Sequence, residues 1–343
     1  MPHPNLLSSG NEDWQHQLRN VISSQSELLG ILGLTPEQVG LAQGACDDFP
    51  LKVPRSFVQR MRAGDPHDPL LLQVLASKFE LVATPGWVRD PVGETGPSNP
   101  HPGIIHKYHG RVLLVVSGGC AVNCRYCFRR HFPYGENQNN RQQWLEALQY
   151  IRRDESIEEV ILSGGDPLVA TDEYLGHLVR EIAEITHVKR LRIHSRLPVV
   201  IPDRITDQLL AAITHESLQT IMVIHCNHAR EIDSSMRLAL TALRDAHITT
   251  LNQAVLLAKI NDSAQAQVDL CNSLFAAGVL PYYLHLLDKV QGAAHFDVPE
   301  KQAQELLSEV AARLPGYMVP KLVREVAGAD AKVGVPIAEQ ATS

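Results

Sequence analysis

The sequence has no apolar run that could cross a bilayer. Its longest purely aliphatic stretches, such as Val112–Val116, fall far short of the roughly 20 residues a membrane helix needs. The opening, Met1 to Trp14, lacks the apolar centre of a secretory signal, so a cytoplasmic protein is expected. Positive charge is not in excess either. Thirty-one Lys and Arg stand against 38 Asp and Glu, a net charge of -7, which gives no support for non-specific binding to nucleic acid or to an anionic membrane. There is no low-complexity segment and no glycine fingerprint of a dinucleotide site. The six cysteines do not read as a disulfide framework: Cys120, Cys124 and Cys127 cluster, whereas Cys46, Cys226 and Cys271 are scattered and read as buried small hydrophobes.

What the chain does have is length and apolar content, 343 residues of which 44% are hydrophobic, enough for one large core with additions. Residues 1–105 read as a helical region. The spacing predicts one helix from Asp13 through Leu29, a start signal at Thr35-Pro36-Glu37 and another helix over Leu70–Lys78. The Pro- and Gly-rich stretch Pro85–Pro102 reads as a loop. From Arg111 strands alternate with helices. The strands are Val112–Ser117, Val160–Ser163, Val188–His194, Thr220–His225, Thr249–Leu256 and Pro281–Leu287. The helices are Gln142–Arg152, Asp172–Ile185, Asp203–Ala212, Ser234–Ala246, Ala264–Ala276 and Glu300–Arg313. Repeats of about thirty residues are βα units. Six of them predict an α/β fold, a partial (β/α)6 barrel over 106–317, with a helical extension before it and a C-terminal segment, 318–343, after it.

The most specific motif is Cys120-Ala-Val-Asn-Cys124-Arg-Tyr-Cys127, directly after the first predicted strand. Three thiolates on one loop can hold three irons of a cubane cluster and leave the fourth iron open to a ligand. Zinc is the competing reading, with His131 as a fourth ligand, although structural zinc usually takes two separated ligand pairs. Ser163-Gly164-Gly165-Asp166-Pro167 closes the second strand. By itself it is a tight turn. It is also a place where backbone can approach a ligand and a carboxylate can accept from an ammonium. Both motifs lie at carboxyl ends of strands, the functional end of such barrels.

The cysteine spacing followed by the glycine segment resembles the radical S-adenosylmethionine superfamily. Within it, Cys127-Phe-Arg129-Arg130, His225-Cys-Asn227-His228, Leu251-Asn252-Gln253, Pro281-Tyr-Tyr283, Asp288 and Val319-Pro320 together resemble the lysine 2,3-aminomutases. The segments His106–His109 and Cys127–Tyr134 look most like the branch that supplies β-lysine for modification of elongation factor P.

The resemblance implies a [4Fe-4S] cluster on Cys120, Cys124 and Cys127, S-adenosylmethionine, and pyridoxal 5'-phosphate on Lys332. It places Gly164, Gly165 and Asp166 at the amino group of S-adenosylmethionine, and Ser195 and Arg196 at its carboxylate. Lys107, Tyr108, Arg111, His225, Asn227 and Gln253 would line pyridoxal phosphate and nucleoside, Lys107 and Arg111 at the phosphate. Arg129 would clamp the substrate carboxylate, and Asp288 and Glu325 would receive the distal ammonium of lysine.

Taken singly these residues have plainer readings: Lys332 a surface charge, His225 a core histidine, Asp288 and Glu325 ion-pair carboxylates, Arg129 a charge that tunes the cluster. Two departures from the family stand out, Glu325 where aspartate is usual and a glycine-poor run before Lys332. The implied reaction is a 2,3-amino shift converting (S)-α-lysine to (R)-β-lysine. The implied partners are an electron donor such as a flavodoxin or ferredoxin and the enzyme that attaches β-lysine to elongation factor P. Alternatives are an aminomutase feeding free β-lysine to another pathway, or a non-catalytic adaptor stabilised by a cluster or zinc. A glutamate-type substrate is disfavoured, because two acids would repel its side chain.

Overall fold

The computed structural model describes residues 13–137 and 141–337, so most of the polar opening and the last six residues lie outside the described residues. Five short helices come first: α1 (Trp14–Arg19), α2 (Gln25–Leu32), α3 (Pro36–Val39), α4 (Gln43–Asp48) and α5 (Arg55–Val58). A single helix from Asp13 to Leu29 does not form. Ser24 caps a new helix by accepting the Glu27 N–H, and Ile22 before it is drawn into a bridge with Val53. Thr35 does start a helix, through a reciprocal capping box with Gln38, but Gly40 ends it after one turn.

The segment expected as a helix over Leu70–Lys78 is a run of turns. Buried Asp68 takes the N–H groups of Arg62, Leu70 and Leu71, and the Gln73 carbonyl accepts from the Arg125 N–H. Tertiary partners thus take up backbone groups that a helix would have paired. Asp203–Ala212 also shortens: Thr206 caps a helix that begins only at Asp207.

Among the described residues nine strands form one sheet in sequence order: β1 (Ile104–Tyr108), β2 (Arg111–Ser117), β3 (Glu159–Gly164), β4 (Arg190–Ser195), β5 (Gln219–Ile224), β6 (Thr249–Val255), β7 (Leu280–His285), β8 (Lys321–Arg324) and β9 (Val333–Gly334). Strands β2 to β8 are parallel, and antiparallel β1 and β9 border them. The six strand–helix units are present, with helices α6 (Arg141–Arg153), α7 (Asp172–Ala183), α9 (Asp207–Ile213), α10 (Ser234–Asp245), α11 (Ala264–Ala276) and α12 (Glu300–Ala311), and one extra turn of helix, α8 (Leu197–Val200), between β4 and α9. The fold is a partial (β/α) barrel. Strands β1, β8 and β9 are absent from the periodicity, because each is short and borders loops. Among the described residues no helix is long and apolar enough to cross a membrane.

Burial alternates along β4: Leu191, Ile193 and Ser195 are buried, while Arg190, Arg192 and His194 are only partly so. Strand β6 alternates likewise, with Gln253 on the partly open side. A parallel sheet covered on both faces would be apolar throughout. One polar face therefore marks a concave interior built to receive something, while Leu162, Leu191 and Met222 face the apolar core.

The N-terminal helices grip the cysteine loop. Arg125, fully buried, donates from Nε to Glu80 at 2.8 Å and from Nη2 to the Ala45 carbonyl at 3.0 Å. Arg130 reaches the same Glu80 carboxylate at 3.1 Å. Breaking a buried pair leaves an uncompensated charge, at a cost of about 3–5 kcal/mol. Glu80→Gln should lower the unfolding free energy by that much, read as a lower urea midpoint, and reduce iron loading. An unaltered midpoint would show that the pair contributes nothing.

Candidate active site

The residues between the cysteines anchor their loop on two sides. Arg125 points into the N-terminal helices. Tyr126 is buried, and its hydroxyl accepts from Asn227 Nδ2 at 2.6 Å and from Arg196. The three thiols are free and partly exposed. Burial raises the Cys127 pKa to about 11, with the Cys124 charge next in importance. Burial also raises Cys120 well above its usual value, followed by the fields of Cys127, Asp166 and Cys124. Thiols that oppose one another's ionisation stand close together. Among the described residues no three His, Cys, Asp or Glu side chains converge on a single ion. Three thiols on one loop can each bind a different iron of a cubane and leave the fourth open. The donor set fits a cluster.

Gly164 and Gly165 serve backbone packing. Gly165 donates its N–H to the Ser117 carbonyl at 2.7 Å, and Asp166 donates to the Gly119 carbonyl at 2.8 Å. Gly164 has φ +126, and a Cβ on it would lie 2.4 Å from the Ser117 oxygen. The end of β3 is thereby pressed against the start of the cysteine loop.

Asp166, expected at the amino group of S-adenosylmethionine, is already engaged by the protein. Its two oxygens take the Leu168, Arg196 and Leu197 N–H groups and the Ser195 hydroxyl. With four donors it is a clamp between β3 and the turn after β4, and Ser195 is its partner. Asn227 is likewise spent. Its amide donates to Gln73 and Tyr126, and its oxygen accepts from the Val255 N–H. Arg196 donates to Cys124 Sγ at 2.7 Å and to Gln73 at 2.7 Å, with Glu231 at 3.3 Å.

Other groups stay available. Arg196 Nε, His194 Nε2, His285 Nε2 and Gln253 Oε1 are buried and find no partner among the described residues. Orphaned polar atoms of this kind are rare in a filled core and suit a polar ligand. The pairing passes over Tyr282 on β7, while β6 keeps its alternation and leaves Gln253 on the partly open side. His225 lies 5.9 Å from His194, ring to ring. Burial, then the charges of Arg196 and Arg129, lowers the His225 pKa to about 3, so the ring is neutral.

Across the open side of the barrel runs an alternating line of charge. Arg129 grips Glu94 with Nε at 2.6 Å and Nη2 at 2.8 Å. Lys107 lies 3.5 Å from Glu94 and 3.4 Å from Glu325. Glu325 accepts from Lys332 Nζ at 2.9 Å and from the Tyr108 hydroxyl. Burial opposes the Glu325 charge, but Lys332, then Tyr108 and Lys107, hold its pKa down to about 2. Lys332 is thus ion-paired, not a solvated surface lysine, and it lies 5.8 Å from the Tyr283 ring. Arg111 stacks on Tyr108 at 4.7 Å.

Asp288 and Glu325 line one cavity of about 570 Å³ at the ends of β7 and β8. Burial, reinforced by the Glu325 charge, raises the Asp288 pKa to about 7. Sequence reasoning missed Glu94, Gln73, Glu80 and Glu231. Glu80 and Glu231 stand in one-turn 3-10 helices, and Gln73 and Glu94 in turns and loops, all too short for a periodicity to mark them.

A cysteine loop after the first parallel strand, open to the polar interior of a partial barrel, defines a radical S-adenosylmethionine enzyme. The pattern of the Radical SAM superfamily matches residues 114–266. Over nearly its whole length the chain is 51% identical to the L-lysine 2,3-aminomutase of Escherichia coli (strain K12), covering 95% of each chain. It is 48% identical to that of Haemophilus influenzae, covering 92% of this chain and 94% of the relative. Against the Clostridium subterminale enzyme identity is 33%, covering 94% of this chain and 77% of the relative. The chain belongs to the lysine 2,3-aminomutase family, and it is an isomerase with the iron–sulfur cluster and S-adenosylmethionine of its superfamily.

A methyl group at Gly165 would stand 2.4 Å from the Gly119 carbonyl, which is backbone and cannot yield cheaply. Gly165→Ala should displace the cysteine loop, costing about 1–3 kcal/mol and most of the iron and sulfide retained after anaerobic reconstitution. Full loading would show that the loop tolerates the shift.

Proposed function

We propose that the protein converts (S)-α-lysine to (R)-β-lysine, with pyridoxal phosphate held on Lys332, and that the product serves β-lysylation of elongation factor P. The observation that carries this reading is the pairing of Lys332 with Glu325 beside Asp288, at one end of a line of charge whose other end is Arg129. A substrate with a carboxylate at one end and an ammonium at the other matches both ends. When bound, S-adenosylmethionine at the reduced cluster supplies a carbon radical that takes and returns hydrogen, while pyridoxal phosphate lets nitrogen pass between neighbouring carbons. Residues 106–317 supply the cluster loop and most of the barrel, and the segment from 318 adds strands β8 and β9 and Lys332.

The chain's own residues divide the remaining work. Arg129 takes the carboxylate through its planar fork, and Asp288 and Glu325 hold the distal ammonium, so the reacting carbons are fixed between two anchors. Lys107 and Arg111 supply cationic donors for the cofactor phosphate, and Gln253 and His225 offer polar groups to the cofactors in the interior. Tyr134, within the segment that resembles the elongation factor P branch, donates to the Gly164 carbonyl at 2.9 Å and so belongs to the packing of the site. An electron donor such as a flavodoxin or ferredoxin would reduce the cluster.

The test is anaerobic turnover of lysine with reductant, S-adenosylmethionine and pyridoxal phosphate, with chiral analysis of the product. Borohydride should fix the pyridoxyl group to the wild-type chain and not to Lys332→Ala, read by mass spectrometry. Label on another lysine would move the cofactor site.

Asp288 gives the reading a pH signature. Its carboxyl is protonated below about 7 and ionised above. Affinity for the distal ammonium should therefore strengthen as pH rises through that value, seen as a falling KM for lysine. Asp288→Asn should remove the inflection and cost on the order of a hundredfold in kcat/KM. A pH profile shared by variant and wild type would place the ammonium elsewhere.

A further inference from the structure

The guanidinium on which carboxylate recognition rests already holds a carboxylate. Glu94 fills the Arg129 fork with two parallel hydrogen bonds, at 2.6 and 2.8 Å. Nη1 is taken up by Ser163 Oγ at 3.0 Å and the Gly164 carbonyl at 3.2 Å. One N–H of the five is left, so a second carboxylate cannot enter the fork beside Glu94. Glu94 is buried, 5% exposed, and stands on the loop over Pro85–Pro102 rather than on the sheet. Burial opposes the Arg129 charge, but the field of Glu94 prevails and holds its pKa above the ordinary value.

Glu94 also has somewhere to go. It borders a cavity of about 250 Å³ that Arg89, Arg129, His131 and Phe132 help to line. His131 Nε2 is buried and finds no hydrogen-bond partner among the described residues. A cation and an unused ring nitrogen therefore share this space with the Glu94 carboxylate.

We propose that Glu94 is a specificity-determining residue: it occupies the Arg129 fork until the carboxylate of an amino acid substrate displaces it into the neighbouring cavity. This rests on the reading of Arg129 as the carboxylate receptor. The consequence is selective. A ligand that brings its own carboxylate replaces like with like, so the arginine is never left buried and unpaired. A ligand without one has nothing to offer in exchange. The apparent affinity for substrate is lowered by the fraction of molecules in which the fork is free.

The experiment uses the full chain with reconstituted cluster and pyridoxal phosphate. Glu94→Gln keeps the shape and removes the competing charge. KM for lysine should fall by about three- to tenfold, as expected if the fork is free in about a tenth to a third of molecules. Lysinamide, which lacks the carboxylate, should gain nothing as a competitive inhibitor. An unchanged or raised KM for lysine would overturn the proposal, because Glu94 would then orient Arg129 rather than compete for it.

Arg129→Gln separates this from the underlying reading. If that variant leaves KM for lysine unchanged, the carboxylate is bound elsewhere and the reading itself fails. If it raises KM while Glu94→Gln brings no tightening, the reading stands and only the proposal falls. Should Glu94→Gln not load its cluster, Glu94→Asp, too short to bridge both N–H groups, should lower KM in the same direction. A KM at or above wild type there would be equally decisive against the proposal.

Discussion

The site depends on a line of buried charge, Arg129 to Glu94 to Lys107 to Glu325 to Lys332, in which each group neighbours the opposite sign. Unpaired charges inside a protein are expensive, so a set of five survives only as an alternating whole. Its members come from the loop before β1, from β1, from the cysteine loop, and from the segments after β8 and before β9. The line therefore joins the first strands of an open sheet to its last ones. The gap that a complete barrel would not have becomes a walled site with Arg129 at one end, Glu325 and Lys332 at the other, and Glu94 and Lys107 between.

A second constraint acts on the cysteines. Arg125 and Arg130 tie their loop outward to Glu80, while Tyr126 ties it inward to Asn227 and Arg196. Arg196 and Asn227 also meet Gln73 and Glu231, so the turns around residue 73 and the ends of β4, β5 and β6 share one polar network. Every member is buried and most of its donors are satisfied, which makes such a network specify one arrangement. The course of the cysteine loop is fixed because the residues between the thiols are held on opposite sides.

Much of this was legible in the chain. The βα periodicity located six parallel strands, because apolar strands and amphipathic helices are written in contiguous residues. The cysteine spacing located the cluster loop for the same reason. The helices expected over Asp13–Leu29 and Leu70–Lys78 failed where a bridge from Ile22 to Val53 and a buried Asp68 outbid local propensity. Asp166 and Asn227 were named as ligand residues from their motifs. Nothing local reveals that four donors already surround Asp166, or that both ends of the Asn227 amide are taken.

By itself, then, the sequence determined the strands, the helices that cover them, the three thiols and the kinds of charged side chain at the site. Each of these depends on neighbours within a few residues or on one repeating period. Only the tertiary structure decided which charge faces which. Lys107 and Glu325 are 218 positions apart, and Gln73 and Asn227 are 154 apart. Glu94, in a loop of turn residues, became a partner of Arg129 because the folded sheet brought its edges together. Coulombic pairing acts through space over a few ångströms, whatever the distance along the chain.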